Sequence, residues 1–74
     1  MVSFFFPPKT IEKMKALRIS EDTIYDVYNH GEHKKTTTGG NMAVQKYNGY
    51  EVGIFYVQDL TGCAITAVWK RDRR

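Results

Sequence analysis

The stretch Met42-Ala43-Val44-Gln45-Lys46-Tyr47-Asn48-Gly49-Tyr50-Glu51-Val52-Gly53-Ile54-Phe55-Tyr56-Val57 decides the fold. Asn48-Gly49 suits a two-residue type I′ turn, because both central positions need φ > 0 and Asn and Gly tolerate it best. The flanking runs are β-branched and aromatic, as a pleated surface prefers. A two-residue loop fixes the register, so Tyr47 should face Tyr50, Lys46 Glu51, Gln45 Val52, Val44 Gly53 and Ala43 Ile54.

Downstream, Asp59-Leu60-Thr61-Gly62 carries turn chemistry at both ends. Taken as the loop, it pairs Val57 with Ala64, Phe55 with Thr66, Gly53 with Val68 and Glu51 with Lys70. One sheet face then holds Ala43, Gln45, Tyr47, Tyr50, Val52, Ile54, Tyr56, Ile65, Ala67 and Trp69, and is the better core. The other holds Met42, Val44, Lys46, Glu51, Phe55, Val57, Thr66, Val68 and Lys70, and is the place to look for function.

Upstream, Val2 to Phe6 reads as a short strand stopped by Pro7-Pro8. Its three phenylalanines cannot all face one side. A first helix should start near Pro8–Thr10 and bury Ile11, Met14 and Leu17. Ser20 is the expected N-cap of a second helix, with Glu21 and Asp22 favourable to its dipole and Ile24, Val27 and Tyr28 as its apolar face. Gly31 is the expected left-handed residue at its end. A further strand from about His33 to Thr38 returns through Gly39-Gly40-Asn41. A three-residue loop there sets Lys34 beside Lys46, and a two-residue loop sets Lys35 there. The order is βααββββ, an α+β domain spanning residues 1–74, with two helices laid on a largely antiparallel twisted sheet.

At 74 residues, with 42% hydrophobic and 14% aromatic residues, the chain is long enough for one modest core. A single cysteine, Cys63, excludes an internal disulfide framework and a Cys-rich zinc site. His30 and His33, separated by Gly31-Glu32, are too loose a pair for a metal site; no metal or cofactor is expected. No run is long and apolar enough to span a membrane, and Met1-Val2-Ser3-Phe4-Phe5-Phe6 is no signal peptide, so the expectation is cytoplasmic. The net charge of +3 is unevenly spread. Residues 1–20 carry four cations and one carboxylate, residues 21–33 four carboxylates and no Lys or Arg, and residues 34–74 seven cations against three carboxylates. A basic sheet half beside an acidic helix suits a polyanion.

The expected non-core face lines up Lys34, Lys46, Glu51 and Lys70, with Thr66 further along. Lysines around one carboxylate can serve metal-independent RNA cleavage, in which a base takes the 2′-hydroxyl proton and cations stabilise charge on the phosphate. Glu51 is the base candidate. The same residues also fit an ordinary cross-strand pair, Lys46–Glu51, on a solvated face. His33 is a second acid–base candidate at the sheet edge, while His30 reads as a helix-end residue complementing the dipole. The strand ends at Trp69, and Lys70, Arg71, Arg73 and Arg74 form a basic tail able to neutralise phosphates.

Several strings resemble a known family. Phe5-Phe6-Pro7-Pro8-Lys9, Lys13-Met14 and Arg18-Ile19-Ser20-Glu21-Asp22 look like the opening of small RelE/BrnT-like toxins. The likeness is closest to their relatives in the domain-of-unknown-function family 4258. Lys46-Tyr47-Asn48-Gly49-Tyr50-Glu51-Val52 and Ile65-Thr66-Ala67-Val68-Trp69-Lys70-Arg71 look like that family's central hairpin and last strand. The resemblance implies a small endoribonuclease toxin that cleaves mRNA or tRNA and is held by a cognate antitoxin or immunity protein. The family's basic positions have counterparts in Lys9 and Lys70-Arg71. The histidine often found before the first helix is replaced by Lys9 or Thr10, and Leu17-Arg18 stands where Arg-Gly is usual. A reading from another class is a non-catalytic protein- or nucleic-acid-binding module of phage or mobile-element origin. It would use the same sheet face, whose Met42, Val44, Phe55, Val57 and Val68 make it apolar for a surface left to water.

Overall fold

Prolines, a serine cap and two tight turns divide the chain into seven elements. A computed structural model describes residues 3–37 and 39–72. In it the order is β1 (Phe4–Phe5), α1 (Pro8–Leu17), α2 (Glu21–His30), β2 (Glu32–Lys35), β3 (Asn41–Tyr47), β4 (Tyr50–Asp59) and β5 (Gly62–Asp72). The strands form one sheet in the order β1-β5-β4-β3-β2, antiparallel except for the short β1–β5 pair. This is the expected α+β architecture, with both helices preceding the main sheet. Val2, Thr38, Arg73 and Arg74, to which the sequence assigned strand, loop or tail roles, lie outside the described residues.

Pro8 sits at the first helical position of α1, where its missing N–H costs nothing. The helix turns inward Met14 and Thr10, not Ile11, which is 40% exposed. Thr10 is buried with its polar group satisfied, its hydroxyl donating 2.6 Å to the carbonyl of Ile65. Ser20 caps α2 as expected, its hydroxyl accepting from the N–H of Thr23. Ile24 and Val27 are fully buried against the sheet. Gly31 is not left-handed: φ is −77°. Glycine is required there for close approach, since a Cβ would lie 2.5 Å from the carbonyl oxygen of Val27 and 2.7 Å from that of Val44. The left-handed C-cap belongs instead to Arg18, at the end of α1.

The β3–β4 hairpin has the expected register, from Tyr47 opposite Tyr50 through Ala43 opposite Ile54. β2 is shorter than expected and shifted. It pairs Glu32 with Val44 and Lys34 with Met42, so neither Lys34 nor Lys35 stands beside Lys46. The loop closes early, because the Thr36 N–H donates to the carbonyl of Gly40 and the Thr36 hydroxyl accepts from the Gly40 N–H.

β4 and β5 pair as expected only near their turn, where Val57 faces Ala64. A β-bulge follows. Tyr56 faces Ile65 but Phe55 faces Ala67, so Thr66 is the extra residue and its hydroxyl bonds the Phe55 carbonyl. Beyond it every β5 side chain changes side relative to the unbulged register. Gly53 pairs with Trp69 in place of Val68, and Glu51 with Arg71 in place of Lys70. Val68 is therefore buried opposite Ile54, while Trp69 lies on the open face across the gap left by Gly53. The strand also runs past Trp69 to Asp72, so Arg71 is a ladder residue and not part of a projecting tail.

The core comprises Met14, Ile19, Ile24, Val27, Ala43, Val52, Ile54, Tyr56, Cys63, Ile65 and Val68, all between the helices and one sheet face. Phe4 and Phe6 join it through rings of Tyr25 and Tyr28, whereas Phe5 points to the opposite face, 62% exposed. No helix among the described residues is long and apolar enough to cross a membrane.

Candidate functional site

Cross-strand neighbours share a face, and the ladder places Lys46, Glu51 and Arg71 in one row on the face that no helix covers. The next row is Glu32, Val44, Gly53 and Trp69, and the next Lys34, Met42, Phe55 and Ala67. Among the described residues Glu51 is the one buried charged residue of the open face, 7% exposed. Arg71 donates to its Oε1 from Nε at 2.9 Å and from a terminal nitrogen at 2.5 Å. The guanidinium carbon also stands 5.7 Å from the Trp69 ring. Gly53 makes room for the indole, the indole supports Arg71, and Arg71 holds the carboxylate. Lys46, across the ladder from Glu51, makes no ion pair among the described residues.

The other expected site residues are scattered. Lys70 lies on the helix side, opposite Val52, with its ammonium 4.7 Å from the Tyr50 ring centroid. His33 is also on that side, opposite Ala43, and both its nitrogens are engaged. One meets the Tyr56 hydroxyl at 2.6 Å and the other the Tyr28 carbonyl at 2.6 Å, with both phenol rings edge-on to the imidazole. Such a histidine organises the junction of α2 with the sheet and has no nitrogen left for a substrate. Thr66 is exposed at the bulge. Lys34 lies on the open face but is tied to Glu32 at 3.2 Å; Lys35 is at the far end of β2, and Lys9 is exposed on the first turn of α1. The structure thus brings Lys46, Glu51 and Arg71 together and sends Lys70 and His33 to the other face. Among the described residues no group of three or more His, Cys, Asp or Glu is arranged to hold a metal ion.

A second polar cluster was missed from sequence. At the end of α2, His30 Nδ1 donates 2.9 Å to Oδ1 of Asp26, and the Tyr47 hydroxyl donates 2.5 Å to Oδ2. The spacing Asp26–His30 is i, i+4 on a helix, a signal present in the sequence. The Tyr47 hydrogen bond first, and the His30 hydrogen bond and charge after it, hold the Asp26 carboxyl below its ordinary value of 3.8 despite some desolvation. Burial, and then the bond to Asp26, push the Tyr47 phenol up. Tyr47 stacks on Tyr50 at 5.1 Å, so the cluster continues to Lys70.

These shifts set a pH window. Hydrogen bonds lower Asp26 and, from Thr61, Asp59; their stabilisation is present above the ordinary value of 3.8 and is lost as pH falls through the lower folded values. Burial raises Tyr47 and Tyr56, so their stabilisation is complete below the ordinary 10.0 and drains away as pH climbs above it. The urea midpoint should fall as pH drops below the ordinary 3.8 of these carboxylates and again as it climbs above the ordinary 10.0 of the phenols. A midpoint that holds from pH 9 to pH 11.5 would contradict the tyrosine assignments.

No family model matches this chain, and neither does any curated protein or solved structure.

Proposed function

We propose that the chain is a small metal-independent endoribonuclease toxin of RelE/BrnT-like kind, neutralised by a cognate antitoxin or immunity protein. The observation that carries this reading is the row Lys46–Glu51–Arg71: one carboxylate between two cations on a water-facing sheet surface. Glu51 accepts the proton of a ribose 2′-hydroxyl. Arg71 orients the carboxylate, and with Lys46 stabilises the charge that builds on the phosphate. Trp69 and Phe55, in adjacent rows of that face, offer rings on which bases can stack. Lys70, on the helix side, has no part in this chemistry.

The test is cleavage of a labelled RNA in EDTA by the purified protein and its variants. Lys46→Ala and Arg71→Ala should each lower the rate by about 10²–10³-fold, the usual cost of losing one charge-stabilising donor. Lys70→Ala should leave it within a few-fold of wild type. Equal losses at Lys70 and Arg71 would sink this placement of the site.

A second reading has its own observation. The open face carries apolar side chains from one edge strand inward, with Val57 49% and Phe5 62% exposed on the same face as Met42, Val44, Phe55 and Trp69. Exposed patches of this kind mark partner surfaces. Salt separates the two: RNA binding weakens steeply with ionic strength, whereas an apolar protein interface hardly responds.

A further inference from the structure

Where β2 begins and α2 ends, a cleft opens along the edge of β3, lined by His30, Glu32, Val44, Gln45 and Lys46. Val44 and Lys46 belong to the open face, and Lys46 is the cross-strand neighbour of Glu51. The His30 side chain is 68% exposed, and only its Nδ1 is engaged, by Asp26. Asp26, itself held by Tyr47, fixes the ring so that Nε2 carries the exchangeable proton of the imidazolium. A carboxylate–imidazole pair with one free nitrogen beside a row of one carboxylate and two cations is an acid complementing a base.

We propose that His30 is the general acid of the site, with Asp26 and Tyr47 as its positioning residues; the proposal rests on the ribonuclease reading above. The 2′-oxygen attacks phosphorus and forms the O2′–P bond, its proton passing to Glu51. The P–O5′ bond breaks, its electron pair stays on O5′, and that oxygen takes the proton from His30 Nε2. The products are a 2′,3′-cyclic phosphate and a 5′-hydroxyl end. In-line displacement needs acid and base on opposite sides of the phosphorus. His30 and Lys46 line one cleft at the edge of β3, and Glu51 is the cross-strand neighbour of Lys46. His33, with both nitrogens occupied, cannot take this role.

The test uses two oligonucleotides with a single ribonucleotide, one natural and one with sulfur replacing the 5′-bridging oxygen, cleaved in EDTA. A thiolate leaves without being protonated, so it has no need of the acid. His30→Ala should slow cleavage of the natural substrate by about 10²–10⁴-fold and cleave the sulfur substrate within about tenfold of wild type. Asp26→Asn, which weakens the hold on the ring, should lower kcat on the natural substrate and leave the sulfur substrate within about tenfold of wild type. The titrating or charged groups facing His30 are Asp26, Glu32, Lys46 and Tyr47. A thermal melt verifies that the variants fold. If wild type cleaves and His30→Ala cleaves as fast, the acid role is overturned while the ribonuclease reading stands. Equal slowing on both substrates also overturns it, by reducing His30 to a binding or structural role. If wild type cleaves neither oligonucleotide nor a long RNA, both readings fall together.

Discussion

Glu51→Gln should lower the rate of RNA cleavage by about 10²–10⁴-fold, the range a positioned general base contributes. The substitution is nearly isosteric, and the amide oxygen can still accept from Arg71, whose two bonds converge on Oε1 alone. What it removes is the ability to accept a proton. Folding should therefore change little, which separates lost chemistry from lost structure. Glu51→Ala would not do this, because it leaves Arg71 without its partner and opens space at a buried position, 7% exposed. The measurement is single-turnover cleavage in EDTA beside a urea titration of the same preparations. Activity within a few-fold of wild type, with the fold intact, would remove Glu51 from the mechanism and favour the apolar face as a partner surface.

How far this site could be read from the chain depends on what set each contact. The β3–β4 hairpin was legible because Asn48-Gly49 leaves one low-strain way to turn, and a two-residue loop then dictates every pair to Ala43–Ile54. Ser20 and Pro8 were legible for the same reason, as local chemistry with local consequences. The bulge at Thr66 was not. Ala64-Ile65-Thr66-Ala67-Val68 continues an unbroken small-and-apolar pattern, and no glycine or proline marks the extra residue. Its causes are tertiary. Thr10 ties Ile65 to α1, the gap over Gly53 receives an indole, and the Glu51 carboxylate gains a guanidinium with two donors. With one residue inserted, Arg71 and Lys70 exchange sides, and so do Trp69 and Val68. The partners of the two histidines were not legible for the same reason. Periodicity gives the face of a helix but not which ring nitrogens meet partners, and here His33 is the one consumed by structure.

The bulge makes its own prediction at Gly53. A methyl group built there falls on the indole of Trp69, against Cε2, Cζ2 and Nε1. Gly53→Ala should therefore push the ring off the sheet. The usual benefit of replacing a strand glycine, about 0.4–1 kcal/mol from the unfolded chain, works in the opposite direction. Overpacking typically costs about 1–3 kcal/mol, so the net result should be a loss of about 1–2 kcal/mol, and roughly 4–8 °C in Tm for each kcal/mol at this size. The displaced ring also withdraws support from Arg71, so cleavage should fall with stability. Because Trp69 is the chain's one tryptophan, its fluorescence reports the event directly, and the emission of the variant should shift to the red. In a register without the bulge, Gly53 would face Val68 and the indole would sit under the helices. The new methyl would then leave the emission where it was. A stable variant with unshifted emission would thus refute the bulge, and with it the pairing of Glu51 to Arg71 on which the site is built.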